Sequence, residues 1–205
     1  MKFTSKRLKK AFFVLGPVSS GTRMLTQAIL ETSGCFGDDT HHQRLGDGDY
    51  LEFPDPLPET LVFRRSLPHW ATQPNIVGLI DQFREKDYRV IPILIVREPR
   101  CTVKSQMVNH PHYSNNEGEG YLLWKASIKL AYEGFAERQL YPLVVHYEAF
   151  ISSAVVREIA FSQLNLSPPT MNFYDANEKY GLPVMGNEIS NGHVATDNSY
   201  EARMA

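Results

Sequence analysis

At 205 residues, 42% of them apolar and 21% charged, the chain is long enough to bury one sizeable core and too short for a second full domain. Its 11 Phe, 10 Tyr and 2 Trp exclude a disordered or linker protein. A net charge of −2 provides no global positive field for nucleic acid, and the only two cysteines, Cys35 and Cys101, exclude a disulfide framework and suit a reducing compartment.

The chain opens on a basic lead-in, residues 1–10, carrying Lys2, Lys6, Arg7, Lys9 and Lys10. The apolar run that follows, Ala11–Gly16, is shorter than the roughly 7–15 residues of a secretory core or the about 20 of a membrane span, so no membrane span and a cytoplasmic location are expected. This run reads as a strand buried on both faces. A helix follows, with Met24, Leu25, Ala28 and Ile29 on one face. Residues 34–58, with Gly34, Gly37, Gly46, Gly48, Pro54, Pro56 and Pro58, read as a long loop. A short strand is expected at Thr60–Phe63 and a second doubly buried one at Val90–Val96, with a helix after it. Residues 109–120 read as a turn-rich loop, and long loops in compact domains commonly serve as lids or binding loops. Trp124, Ile128, Ala131 and Phe135 then share a helical face, Tyr141–His146 reads as a strand, and Ala154–Leu164 reads as a helix ending before Asn165 and Pro168-Pro169. Residues 169–205 form a loop-rich C-terminal segment. Alternating strands and helices predict a single α/β domain over 1–205, in three layers, with a central parallel sheet flanked by helices.

The first strand runs directly into Gly16-Pro17-Val18-Ser19-Ser20-Gly21-Thr22-Arg23 and then a helix. Such a loop turns backbone N–H groups inward and sets the positive end of a helix dipole at one point, a ready phosphate or sulfate site. The nucleoside triphosphatase pattern GxxxxGK[ST] fails, because Thr22 and Arg23 stand where lysine and the metal-binding hydroxyl belong. A simple strand-to-helix turn capped by Ser20 or Thr22 is the alternative for the loop taken alone. The second buried strand ends at Val96-Arg97, with Ser105 in the helix beyond. That is the edge where open α/β sheets bind ligands, and an arginine there can hold a phosphate through two parallel hydrogen bonds with a serine adding a third. The alternative for Arg97 is an ion pair with Glu98 or a helix-end charge.

A first-strand loop ending Ser-Gly-Thr, followed by an apolar strand, Arg97, and a serine eight positions later at Ser105, resembles the sulfotransferases that use 3′-phosphoadenosine 5′-phosphosulfate (PAPS) as donor. The match continues at Leu143–Glu148 and at Phe161–Pro168, covering about 150 residues. The resemblance implies a P-loop-kinase-like fold, with Ser19, Ser20, Gly21, Thr22 and Arg23 around the 5′-phosphosulfate and Arg97 with Ser105 on the 3′-phosphate. It implies sulfuryl transfer to a hydroxyl of a carbohydrate or small-molecule acceptor, with no metal.

Sulfuryl transfer needs an in-line nucleophile, a cation for the departing phosphate and a base for the acceptor proton. Most members of the family carry Lys or Arg just before the Ser-Gly-Thr; here that position is Ser19. Arg23, Arg64 or Arg65 is expected to substitute. The bland reading of Arg64-Arg65 is a solvated pair at a strand end. The segment Leu61–Trp70 resembles the family's strand bearing the histidine base; aligned on Leu67-Pro68, Ser66 falls at that histidine and His69 lies close by, so His69 is the candidate base. Glu148 is expected to be a structural acid. His41-His42 and His110-x-His112 read as acceptor-pocket or surface residues rather than zinc ligands. Tyr50, Phe53, Trp70, Tyr113 and Tyr121 are candidates for the acceptor pocket or for loop anchors, and Asn191-Gly192-His193 is a candidate closure over the nucleotide. Two other functions stay open: a kinase-like phosphotransferase, and a protein that binds PAPS or another nucleotide without transfer.

Overall fold

The computed structural model describes residues 9–38, 45–46, 49–69 and 73–180. The readings at His41-His42, Trp70, Asn191-Gly192-His193 and the first eight residues of the basic lead-in lie outside them. In chain order the elements are β1 (Lys9–Pro17), α1 (Thr22–Ser33), β2 (Phe36–Gly37), β3 (Thr60–Leu67), α2 (Ile76–Glu85), β4 (Tyr88–Val96), α3 (Pro99–Asn109), α4 (Glu117–Glu137), β5 (Leu143–His146), α5 (Tyr147–Ser152) and α6 (Ala154–Gln163). All strand pairs are parallel, and the 5-stranded sheet runs β2-β3-β1-β4-β5. With helices on both faces this is the expected three-layer, P-loop-kinase-like α/β arrangement.

β1 is buried along nearly its whole length because its side chains serve two cores by alternation. Phe13 and Leu15 point into a cluster with Leu79, Ile80 and Phe83 of α2 and Ala131 and Phe135 of α4. Phe12 and Val14 point the other way, against Leu25, Ala28 and Ile29 of α1 and Phe161 of α6. The Phe13 ring centre lies 5.3–5.8 Å from those of Phe63, Phe83 and Phe135, a spacing suited to tilted and edge-on aromatic contact. After β1 the chain lays β2 and β3 on one side, then crosses to place β4 and β5 on the other. The carboxyl end of β1 is therefore a topological switch point, where a crevice opens.

Several boundaries differ from the sequence reading. β3 continues past Phe63 to Leu67, in register with β1 as far as Pro17, so Arg64, Arg65 and Ser66 are strand residues. The 34–58 stretch contains β2, which pairs with β3 through Phe36 and Gly37. The 109–120 loop is shorter than expected: α3 reaches Asn109, and α4 begins at Glu117, where the Asn116 side chain accepts from Glu119 N at 3.0 Å and the Glu119 carboxylate accepts from Asn115 N at 2.9 Å. The Asn-Asn-Glu-x-Glu run supplies both of these bonds, an Asn116 N-cap and a Glu119 carboxylate that reaches back to the residue before that cap. β5 starts at Leu143 instead of Tyr141. Both cysteines are free thiols, and burial pushes Cys101 up to about 11 and Cys35 above its ordinary value, so neither is a thiolate nucleophile at neutral pH. Among the described residues no helix is long and apolar enough to cross a membrane.

Candidate functional site

Beyond the carboxyl ends of β1, β3 and β4 lies a cleft of about 850 Å³. Ser19, Gly21, Thr22, Arg23, Arg64, His69, Arg97 and Ser105 all line it, so the loop, strand-end and helix residues expected around the ligand converge on one space. Ser20 is the exception: it is fully buried beneath the loop and its hydroxyl has no partner.

The loop's geometry follows from its glycines. Gly21 adopts φ 98°, a left-handed conformation glycine takes without steric cost, and a Cβ there would come within 2.8 Å of the Tyr147 ring. A Cβ on Gly16 would collide with Ser20 Oγ and the Ile95 carbonyl. Ser19 is also left-handed, at φ 68°. Gly21 is the N-cap of α1 and no side chain caps that end. The cap by Ser20 or Thr22, the alternative for this loop, is thus absent: Ser20 Oγ is unpartnered and Thr22 Oγ1 lies 3.2 Å from Ser66 Oγ on β3. An uncapped helix start leaves its first N–H groups without intrahelical acceptors, here at the wall of the cleft.

Arg97 follows β4 directly and is only 5% exposed. It is not the ion-pair partner of Glu98, whose carboxylate instead caps α3 by accepting from Cys101 N at 2.8 Å. Arg97 Nη1 donates to the Ser19 carbonyl at 3.0 Å, Nε donates to Asn177 Oδ1 at 2.7 Å, and Nη2 is buried with no partner. The guanidinium lies 4.8 Å from the Tyr147 ring centre and 5.7 Å from that of Tyr180, within cation–π reach of both. Ser105 is also 5% exposed; its hydroxyl accepts from Asn109 Nδ2 at 3.1 Å. Gln106, beneath them, donates to the Val18 carbonyl at 2.9 Å and so ties α3 to the β1 loop.

The two neighbouring arginines of β3 divide by strand alternation. Arg65 is 3% exposed and lies in a buried ion pair with Asp38 at 3.4 Å, donates to the Arg64 and Gly46 carbonyls at 2.9 Å each, and covers the Phe63 ring at 3.9 Å. Arg64 is half-buried. The reading of the pair as solvated charges at a strand end is therefore corrected. Glu148 is a structural acid, accepting from Glu98 N at 2.9 Å and Asn177 Nδ2 at 3.0 Å.

Of the histidines, His69 lines the cleft beside Pro68, and His110 and His112 line it together with Tyr113. The His112 and Tyr113 rings are 4.1 Å apart and His110 lies about 6 Å from each. Burial holds the His110 pKa below its ordinary value, with His112 and Arg23 adding to the effect, so its imidazole is neutral and able to accept a proton at pH 7. Burial also pushes the Tyr147 phenol up to about 12, which rules it out as a base near neutrality. Tyr113 is the described aromatic among the five sequence candidates that reaches the cleft; Phe53 instead anchors its loop against Phe83 and Tyr88, and Tyr50 is 65% exposed. Among the described residues no group of three or more His, Cys, Asp or Glu is placed to hold a metal ion.

The sequence reading missed Asn177, Gln106 and Asp38. Each is polar and at most 5% exposed, a combination that acquires meaning only once burial is known. Comparison with known proteins adds no assignment: neither a protein-family model nor a curated protein matches the chain.

Proposed function

We propose that the cleft binds 3′-phosphoadenosine 5′-phosphosulfate and that the protein is a sulfotransferase acting on a hydroxyl of a carbohydrate or small-molecule acceptor. The observation that carries this reading is the buried, unpartnered Nη2 of Arg97, a residue that lines the same cleft as the uncapped start of α1. A buried guanidinium N–H without an acceptor costs stability, and an anion in the cleft relieves that cost. Two donor sets that line the one cleft, the β1 loop with α1 and Arg97 with Ser105, suit a ligand with two anionic groups.

In the transfer, the acceptor oxygen forms a bond to sulfur as the bond from sulfur to the bridging phosphate oxygen breaks, and the electron pair leaves with the 5′-phosphate. Arg23 and Arg64 supply positive charge in the cleft where the family's lysine is replaced by Ser19, and the first N–H groups of α1 add their dipole. The acceptor proton passes to an imidazole. His69 remains the candidate from the strand end, and His110 joins it because it lines the same cleft in its neutral form. ATP with magnesium fits less well, since Thr22 and Arg23 occupy the positions of the phosphate lysine and the metal-binding hydroxyl.

Calorimetric titration with 3′-phosphoadenosine 5′-phosphate, 5′-AMP and magnesium ATP tests the assignment. The expected result is a preference for the bisphosphate that Arg97→Ala abolishes, a loss of about 2 kcal/mol or roughly thirtyfold in affinity. No preference for the 3′-phosphate, or a preference for magnesium ATP, overturns the reading.

A further inference from the structure

Arg97 lines the cleft with its Nε already engaged, and the partner comes from far along the chain. The Asn177 side chain, 1% exposed, accepts from Arg97 Nε at 2.7 Å and donates to Glu148 Oε1 at 3.0 Å. Glu148 also accepts from Glu98 N, next to Arg97 in sequence, at 2.9 Å. A guanidinium has only donors and an ionised carboxylate only acceptors, so a short residue joining the two must present one of each, as an amide does. The surroundings therefore settle which way the amide points. The segment carrying Asn177 is itself fixed: Thr170 Oγ1 and Met171 N donate to the Glu31 carboxylate at 2.6 and 3.2 Å, and Ala176 N donates to Tyr147 Oη at 3.1 Å.

We infer that Asn177 is the positioning residue of the anion site. It holds Nε of Arg97 while the Ser19 carbonyl holds one N–H of Nη1, which fixes the plane of the guanidinium and leaves Nη2 as the nitrogen with no partner in the protein. Asn177 makes no contact with the ligand in this role; it acts through Arg97. This rests on reading the cleft as a site for a nucleotide with a 3′-phosphate, which Arg97 distinguishes from a nucleotide without one.

The test compares Asn177→Leu, which keeps the side chain's approximate size and removes both hydrogen bonds, with the wild type in titrations of 3′-phosphoadenosine 5′-phosphate and 5′-AMP. The same substitution is also made in the Arg97→Ala background. The variant is expected to bind the bisphosphate about tenfold more weakly, to keep its AMP affinity within about twofold, and to add nothing once Arg97 is gone. Retained AMP affinity shows that the variant is folded. Unchanged bisphosphate affinity, an equal fall for both ligands, or a further loss in the Arg97→Ala background overturns the positioning role. A wild type with no preference for the bisphosphate instead overturns the nucleotide reading itself, and is seen before any variant is made.

Discussion

A methyl group at Gly21 meets two obstacles, a left-handed backbone and the Tyr147 ring, whose edge would lie 2.8 Å from the new carbon. Gly21→Ala is expected to lower stability by about 1–3 kcal/mol in urea melts. It should also weaken anion binding in the folded protein, because Tyr147 supports the guanidinium of Arg97. His110 sets a pH dependence. Its folded pKa lies below the ordinary value of 6.5, so in the window beneath 6.5 the unfolded chain binds a proton that the native protein refuses. Stability is expected to be undiminished by this group above that window and to fall as pH drops through it. His110→Gln should flatten that part of the profile, measured as urea midpoints at about pH 7.5 and pH 5.5. A slope identical to wild type would remove His110 from the account.

At the scale of elements, the Asp38 carboxylate ties together the edge of the sheet beside the cleft. Asp38, just after β2, accepts from Leu45 N at 2.7 Å and Arg64 N at 2.9 Å and pairs with Arg65. Asp38→Ala leaves a buried guanidinium without this counter-charge and two N–H groups without their acceptor. The expected cost is about 3–5 kcal/mol, read as a lowered urea midpoint with an unchanged slope. A loss under about 1 kcal/mol would mean that water replaces the carboxylate. The same interaction explains why β3 was read too short. Arg64-Arg65-Ser66 interrupts the apolar run that marks a buried strand, and Asp38, which pairs with the buried Arg65, is 27 positions away. β1 and β4 were legible because burial on both faces writes an uninterrupted apolar run. The two residues of β2 are too few to carry any period. α2 was not singled out, although Ile76, Leu79, Ile80 and Phe83 form its buried stripe.

Over the whole molecule, the layer arrangement was legible from alternation of local patterns, each complete within about ten residues. The candidate site was legible on its β1 and β4 sides for the same reason: glycine-bounded loop, strand end and following helix are local signals. Its remaining parts are not local. Arg97 reaches across 80 positions to Asn177 and 78 to Ser19, and no pattern in the sequence marks those pairings. Among the described residues the five strands and six α-helices end by Gln163, before the segment that completes the setting of Arg97 begins. A chain emerging from the ribosome therefore presents the five described strands before it presents Asn177. Refolding has the same sequence available to it: the scaffold can form first, and the setting of Arg97 by Asn177 follows as a separate, later event when that segment comes to rest against Glu148.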